Sequence, residues 1–593
     1  MSGRAFARLI ESPLQTLAPF VAQNPPPRQS RLADVVVLAV MGCVFYAILK
    51  VAHEWRAPFQ AHTEIDLSFW KLPLYTLYSL ARGWVAMGFS LVFTIVYASW
   101  AYYDARARRV LLPVLDILQS IPVLGFMPGL VLALVAVFPK SNFGLELACV
   151  LMIFTAQVWN MVFSYYDSLK AVPRELREMG VICHYNAWQR FRNIELPFAA
   201  QGLIYNGMVS MAGGWFFLTI NEAFTLGNQD FQLQGLGSYM SVAIAQDNVP
   251  AEVAAVVAMA VMIVAVDRLV WWPLVIWSRK FKIEDVASGP TETTLVQRML
   301  EHSHLLSLLG HPHHLMRHDK PARRHARPAR TRTVEAVPPP AGSQGMSRVY
   351  VIVIAALLLV GGYGMYRLLD MVFQVHAGQW LTIGMSIGTT FLRVLGALMI
   401  SSLWTIPVGV WIGLNPKVSR YLQPVIQFAA SFPAPMLYPL VFGGVLALGG
   451  NLNWGAVLLM MLGAQWYILF NVAAGAQAIP ADLVACADIF SLKGWRRWRQ
   501  FILPAIFPNL VTGWITSAGG AWNASIVAEY LVQGGQTYHA YGVGSIISEA
   551  TSAGDFHLLA ASVMGLSLVV VGINRTFWKR MQRLGDVYCR FGP

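Results

Sequence analysis

Residues Trp188–Pro197 read WQRFRNIELP, and residues Trp495–Pro504 read WRRWRQFILP. Both run Trp-x-Arg-aromatic-Arg and both end in Leu-Pro, 307 positions apart. The match extends well beyond the phrase. At the same offset Trp159 matches Trp466, Pro173 matches Pro480, Gly213 matches Gly520, Trp215 matches Trp522 and Glu222 matches Glu529. Gly235, Gly237 and Ser238 match Gly542, Gly544 and Ser545, and at an offset of 311, Pro113, Ser120 and Pro122 match Pro424, Ser431 and Pro433. Shared hydrophobicity does not hold a constant offset through polar and apolar stretches alike. The chain is therefore a tandem duplication.

Composition says what kind of unit was duplicated. Of 593 residues, 56% are hydrophobic and 12% charged, with a mean hydropathy of +0.52. Soluble chains carry about a quarter charged residues, so this one is read as an integral membrane protein. The net charge of +13 does not point to nucleic acid, because its distribution is wrong for that. No Lys or Arg occurs from Asn193 to Asp267 or from Phe501 to Asn574; the basic residues gather in short loops, tails and one linker. Cys43, Cys149, Cys183, Cys486 and Cys589 include no CxxC pair, so neither a disulfide framework nor a zinc site is indicated.

Apolar runs long enough to span a bilayer fall at 35–52, 74–102, 110–138, 146–166, 198–223 and 252–277, then at 348–369, 382–413, 424–448, 455–474, 505–530 and 556–574. The fold class is all-α integral membrane, two tandem six-helix units of about 12 helices in all. The third span of each half is interrupted, by Pro122 and Pro128 or by Pro433, Pro435 and Pro439, and is expected to be broken. The positive-inside rule puts the basic loops and both termini in the cytoplasm. An even number of spans per half makes the repeat parallel, about an axis along the membrane normal. The expected organisation is a tail at 1–34, a first unit at 35–277, a Pro-, Arg- and His-rich cytoplasmic linker at 278–347, a second unit at 348–574 and a tail at 575–593.

The loops at 171–197 and 478–504 carry the repeated phrase. Each opens on a Pro at a helix N1 position with an acidic residue in the first turn, Glu175 or Asp482. Each then turns and continues as a basic amphipathic helix closed by Leu-Pro. One reading is a helix lying on lipid with basic snorkelling side chains. The other is a pair of equivalent docking sites for a two-fold partner.

These loops resemble the cytoplasmic loop of binding-protein-dependent ABC importer permeases, with its pattern E-A-A-x3-G-x9-I-x-L-P. Aligned on the last Pro, the first copy sets Glu178, Met179, Gly180, His184, Ile194, Leu196 and Pro197 on the defined positions, and four match. The second sets Ala485, Cys486, Ala487, Ser491, Phe501, Leu503 and Pro504 there, and three match. His184 and Ser491 stand where the pattern has Gly, and Ala485 where it has Glu. The Gly-rich stretches before Glu222 and Glu529 and the paired GLGS and GVGS loops resemble the nitrate/sulfonate/bicarbonate branch. The resemblance implies a fused permease of the bacterial inner membrane that imports a small anion. It implies two copies of a cytoplasmic ATPase docked on Glu175, Leu176, Glu178, Gly180 and His184, and on Asp482, Leu483, Ala485, Ala487 and Ser491. It implies a substrate-binding protein outside. ATP and Mg would be bound by the ATPase: the chain has no G-x-x-x-x-G-K-[ST] loop, and no cofactor, metal site or catalytic residue of its own is expected.

For the pathway, Ser120 and Pro122 with Ser431 and Pro433 combine a hydroxyl with freed backbone. Trp215 and Trp522 follow Gly pairs, and Gln157, Asn160 and Asn471 are polar within spans. Glu222 and Glu529 are read as reaching the membrane interface at the outer end of the fifth spans, with a gate as the alternative. No Lys or Arg is placed at mid-membrane to hold an anion. Seven of the thirteen histidines lie in the linker, where they are read as incidental to a solvated tether. Two other functions stay open: a secondary transporter with parallel halves, and a metal-responsive membrane protein built on the linker.

Overall fold

A computed structural model describes residues 49–59, 63–227, 229–279, 281, 348–533 and 535–588. Nearly all belong to one compact unit, Lys50–Ile283 with Val334–Pro593; of the other, Met1–Leu49 with Glu284–Thr333, only Leu49 is described. The N-terminal tail, most of the span expected at 35–52 and the His-rich tract lie outside the described residues.

In the first half, α1 (Leu72–Tyr103) is followed by α2 (Ala105–Ser120), α3 (Met127–Val137), α4 (Phe143–Ala171), α5 (Arg174–Ile182) and α6 (Leu196–Asn221). Then come a hairpin of β1 (Ala223–Leu226) and β2 (Gln229–Gln232), α7 (Leu236–Ala245) and α8 (Val249–Val266). The second half opens on α9 (Arg348–Phe373) and repeats the order. Its elements are α10 (Ala377–Leu414), α11 (Pro416–Ser431), α12 (Tyr438–Ala447), α13 (Leu452–Gln477), α14 (Ala481–Ile489), α15 (Leu503–Ala528), β3 (Tyr530–Gln533), β4 (Gln536–His539), α16 (Val543–Ala553) and α17 (Phe556–Ile573). Among the described residues eight helices are long and apolar enough to cross a membrane, and ten if α2–α3 and α11–α12 each count as one bent span. Those pairs bend by 89° and 84°, where Ile121-Pro122 and Phe432-Pro433 take extended backbone angles.

The prolines of the loops sit differently from expectation. Pro173 and Pro480 are N-caps and not first helical residues; their extended ψ turns the chain into α5 and α14. Leu-Pro does not close the basic helix either. The helix runs on from Ala187 to Asn221, and from Gly494 to Ala528. Pro197 and Pro504 lack an N–H and would clash with the carbonyl four residues back. That carbonyl lies in a π-helical turn, Phe191–Glu195 or Trp498–Ile502, whose wider winding admits the ring.

The halves meet reciprocally. The turn Val123–Phe126 packs on α15, and its counterpart Ala434–Leu437 packs on α6; likewise α2 meets α17 and α11 meets α8. The hairpin ends adjoin as well, since α16 touches β1 and α7 touches β3, with the Gly227 N–H donating to the Thr551 carbonyl at 2.9 Å. Both hairpins thus lie at one end of the unit. Both loops lie at the other, about 40 Å away along α4 at 1.5 Å per residue.

At the hairpin end each half closes on an arginine, buried in the first half and largely buried in the second, which corrects two expectations. Arg82 and Arg393 lie inside the apolar helices α1 and α10, and Glu222 and Glu529 are fully buried instead of reaching an interface. In the first half Arg82 Nε and Nη2 donate to the two carboxylate oxygens of Glu146, both at 2.6 Å, and Nη1 donates to Glu222 at 2.7 Å and to the Gln234 carbonyl at 2.8 Å. In the second, Arg393 Nη1 donates to Glu529 at 2.8 Å and to the Tyr541 carbonyl at 2.9 Å. At the position equivalent to Glu146 stands Asn453, whose Oδ1 and main-chain carbonyl accept from Arg393 at 2.7 and 3.1 Å. Ser79 and Thr390 add a hydroxyl to Glu222 and Glu529, and the N–H groups of Gly237 and Gly544 complete each carboxylate at 2.7 and 2.8 Å. This explains GLGS and GVGS. A Cβ on Gly235 or Gly542 would stand 2.3 or 2.2 Å from the carboxylate it covers, so only glycine lets the backbone come this close.

Removing one partner of a buried ion pair costs about 3–5 kcal/mol, because the survivor keeps its charge without compensation. Arg82→Met strands two carboxylates. Arg393→Met strands one, and its guanidinium is already 11% exposed. Arg82→Met is expected to lower the unfolding temperature of the detergent-solubilised chain more than Arg393→Met. Glu146→Asn, which copies the second half, should cost less than Glu222→Gln. Thermal unfolding followed by tryptophan fluorescence reads all four.

Candidate functional site

Two features stand out where the halves come together: a cavity at their interface, and the paired loops. The cavity holds about 170 Å³ and is lined from both halves. The bends between α2 and α3 and between α11 and α12 deliver Val123 and Ala434 to its wall, beside Gln119 and Phe432. From α4 and α13 come the equivalent indoles Trp159 and Trp466, with Thr155, Tyr467 and Phe470; α6 and α15 add Phe216, Gly213, Gly520 and Asn523. Among the described residues no charged side chain lines it. Asn523 ties the halves together: its Oδ1 accepts from the Val123 N–H at 2.8 Å, while its Nδ2 donates to the Gly519 carbonyl at 3.1 Å. The equivalent residue in the first half is Phe216, which offers no such bond to Ala434.

The residues selected from the sequence for the pathway flank this cavity more than they line it. Ser120 is the last residue of α2 and Pro122 the N-cap of the turn; Ser431 and Pro433 are buried, while Ala430, Phe432 and Ala434 beside them face the cavity. Gln157 turns into its own half, accepting from Ser90 at 3.3 Å and contacting the Met211 sulfur at 3.3 Å. Trp215 packs over Gly83, and Trp522 stacks on Phe391. Glu222 and Glu529 belong to the arginine networks. The Asn471 amide donates to the Tyr467 carbonyl in its own helix. Asn160 lines a second, wide-open hollow of about 510 Å³ toward the loop end of the first half, with Ser164, Asp167, Ser168 and Asn206. Sequence reasoning missed Trp159, Trp466, Tyr467, Gln427 and Asn523 as lining residues. The signal was present: 159 and 466 are the same position of the repeat, and 463, 466, 467 and 470 recur at helical spacing on α13.

The loops keep one geometry in both halves. The chain leaves α5 and α14 through His184 and Ser491, both left-handed at φ 52° and 50°. The left-handed turn is thus formed where neither residue is glycine. Gly180 and Ala487 are buried on equivalent faces; a Cβ on Gly180 would come 2.9 Å from Ile194 Cδ1. Leu176 and Leu483 are half-buried, while Glu175, Glu178, Asp482 and Ala485 are exposed along the opposite side. The apolar tips Val181 and Ile182, or Ile489 and Phe490, are exposed too. The first loop is tied to the end of the helix before it, where Arg177 donates to the Leu169 and Lys170 carbonyls at 3.1 and 3.0 Å. Arg190 lies over the Tyr103 ring and pairs with Glu195 at 3.0 Å, and Glu195 also accepts from the Tyr103 hydroxyl. In the second loop Arg497 pairs with Asp488. No cluster of three metal-ligating side chains occurs among the described residues; the linker histidines lie outside them.

Comparison with known proteins gives the family. The family model for the binding-protein-dependent transport system inner membrane component matches twice, over 90–272 and 405–583, together more than half of the chain. The chain is similar to the bicarbonate transport system permease protein CmpB of Synechococcus elongatus, 29% identical over 27% of this chain and 54% of that protein. It is similar to the nitrate import permease protein NrtB of Leptolyngbya laminosa, at 26% over 32% and 64%. It is also similar to the putative aliphatic sulfonates transport permease protein SsuC of Bacillus subtilis, at 26% over 30% and 60%. Each match spans less than two thirds of the relative's own length. Two family matches in tandem, on a helical membrane fold with a repeated order of elements, mean that this chain belongs to the binding-protein-dependent transport system inner membrane components, as a fused pair of permease units.

Proposed function

We propose that the chain is the membrane subunit of an ATP-driven importer. It forms the path for a small anion delivered by a substrate-binding protein, while two copies of a separate ATPase bind ATP and Mg and dock on α5 and α14. The observation that carries this reading is the pair of loops. They have the same fold at the same end of the unit, the same left-handed exit, and exposed apolar tips with nothing of this chain against them among the described residues. Two matched sites suit a partner with two-fold symmetry. Glu175, Leu176, Glu178, Gly180 and His184 form the first site, and Asp482, Leu483, Ala485, Ala487 and Ser491 the second. The names of the relatives, permeases for bicarbonate, nitrate and aliphatic sulfonates, support the anion. The basic loops and tails put both termini and both docking sites in the cytoplasm of a bacterial cell, by the positive-inside rule. The linker acts as a tether there. Ser120, Pro122, Ser431 and Pro433 frame the path by bending the spans that border the cavity.

Breaking either docking helix should uncouple the machine. Leu176 and Leu483 are third helical residues, where proline is tolerated, so the break belongs deeper, at Met179→Pro or Cys486→Pro. Proline there costs about 3 kcal/mol of local helix stability. With the purified ATPase and binding protein reconstituted in liposomes, each variant is expected to insert normally and to lose about tenfold or more in substrate-stimulated hydrolysis and uptake. Wild-type coupling in both variants would overturn the docking assignment.

The turns supply a second check. A left-handed non-glycine residue costs about 1–2 kcal/mol, so His184→Gly and Ser491→Gly are expected to leave coupling intact and to slow proteolytic nicking of the loops. Limited proteolysis of the four combinations reads this directly; faster nicking would mean that the side chains stabilise the turns.

A further inference from the structure

The wall of the cavity between the halves has an unusual chemical balance. Its polar groups divide into those already spent and those still open. Asn523 is bonded at both ends of its amide, and Gln119 donates to Asp116 at 2.9 Å. Four other side chains line the cavity without a hydrogen bond to any described group: the indoles of Trp159 and Trp466, the hydroxyl of Tyr467 and the amide of Gln427. All four carry N–H or O–H donors, and two are donors only. Among the described residues no carboxylate and no cation lines the space. The Thr155 hydroxyl is spent on the Met152 carbonyl at 2.7 Å, and the rest of the wall is aromatic or aliphatic, with Phe216, Phe470 and Phe432 among it.

A bare inorganic anion is poorly served by such a wall. It would give up its hydration without meeting a compensating charge, and the ring faces would gain nothing from it. A molecule with an apolar body and one oxyanion end is served at both ends. Its body lies among rings, and its oxygens take neutral donors. Neutral donors bind an anion more weakly than a cation does, which suits a site that must also release. The two halves contribute unequally. The first-half equivalents of Tyr467 and Gln427 are Asn160 and Asp116, and neither lines the cavity. Three of the four open donors therefore belong to the second half, which sets the oxyanion end toward that side.

Building on the reading of the chain as an anion-import permease, we propose that this cavity is a transit site for an organic oxyanion, a sulfonate or carboxylate on an aromatic or aliphatic body. In it Tyr467, Gln427, Trp159 and Trp466 hold the charged group and the surrounding rings hold the body.

The test uses the full-length chain in nanodiscs of uncharged lipid, without ATPase, so that it stands or falls apart from the docking experiment. The probe is 4-fluorobenzenesulfonate, followed by the width of its fluorine resonance, with empty nanodiscs subtracted. Saturable broadening is expected. Benzenesulfonate should displace the probe, and nitrate should need at least about tenfold more. Tyr467→Phe and Gln427→Ala should each weaken binding about tenfold, the worth of one hydrogen bond to a charged group. Tyr467→Phe keeps the ring and so the packing, and the size-exclusion profile of each variant confirms assembly. Displacement by nitrate as efficient as by benzenesulfonate would overturn the organic body while leaving an anion importer. Equal binding of neutral 4-fluorobenzamide would overturn the oxyanion end. Binding unchanged in both variants would overturn the site.

Discussion

A guanidinium inside an apolar helix has to be paired before the helix can rest in a membrane, and much of this structure can be seen as the means of pairing two of them. Arg82 and Arg393 reach across from α1 and α10 to a carboxylate at the far end of α6 or α15. That carboxylate is held from behind by the N–H of Gly237 in the first turn of α7, or of Gly544 in that of α16. The hairpin between them is thereby folded back over the helix that precedes it, with the Leu233 N–H donating to the Glu222 carbonyl and the Ala540 N–H to that of Glu529. Three helices and a hairpin in each half are fixed by one residue with five donors. Lysine has three donors on a single nitrogen and lacks the fork to satisfy a carboxylate on one edge and a second carboxylate and a carbonyl on the other.

The duplication has been tuned without disturbing that plan. Where the first half buries one arginine between two carboxylates, the second pairs one arginine with one carboxylate and an amide. Asn523 bonds across the interface where Phe216 cannot, and Arg177 ties down a loop whose counterpart has Val484. The differences at Asn523 and Arg177 fall at the interface between the halves and at a loop, while the glycines and hydroxyls that build each network recur in both copies. A fused chain can diverge in this way because the two halves no longer share one sequence. A homodimer of half-length subunits would be held to identical walls on both sides.

The sequence makes the duplication, the bent third spans and the paired loops legible, because these rest on local chemistry: offset matches, Pro-interrupted apolar runs and basic phrases. It hides the arginine networks for a physical reason. One charge in a long apolar window barely lowers the average, and its partners sit 64 and 140 residues away. The lining of the cavity is hidden for another reason. In a soluble helix the apolar stripe marks the buried face, whereas in a membrane helix every face is apolar and the stripe marks nothing. The left-handed turns at His184 and Ser491 are not written as glycine, so the geometry survives where its usual signal is missing. Burial of Glu222 and Glu529 is misread for the same reason as the arginines: an acidic residue near a span end looks interfacial until its partner is known.

The π-turns connect these observations. Had Pro197 and Pro504 ended a helix, as Leu-Pro suggests, each loop would hang from its span by a hinge. Instead the winding widens for one turn and the helix continues, 35 residues from Ala187 to Asn221 and 35 from Gly494 to Ala528. At 1.5 Å per residue each is a rod of about 50 Å. One end of each rod carries the turn next to α5 or α14. The last third carries Gly213 and Phe216, or Gly520 and Asn523, into the cavity wall. The far end is capped by Glu222 or Glu529, clamped to its arginine. A rod clamped by charge at one end and packed along its length ties the wall residues to that clamp, so the residues that hold the fold together at the hairpins also fix the cavity wall.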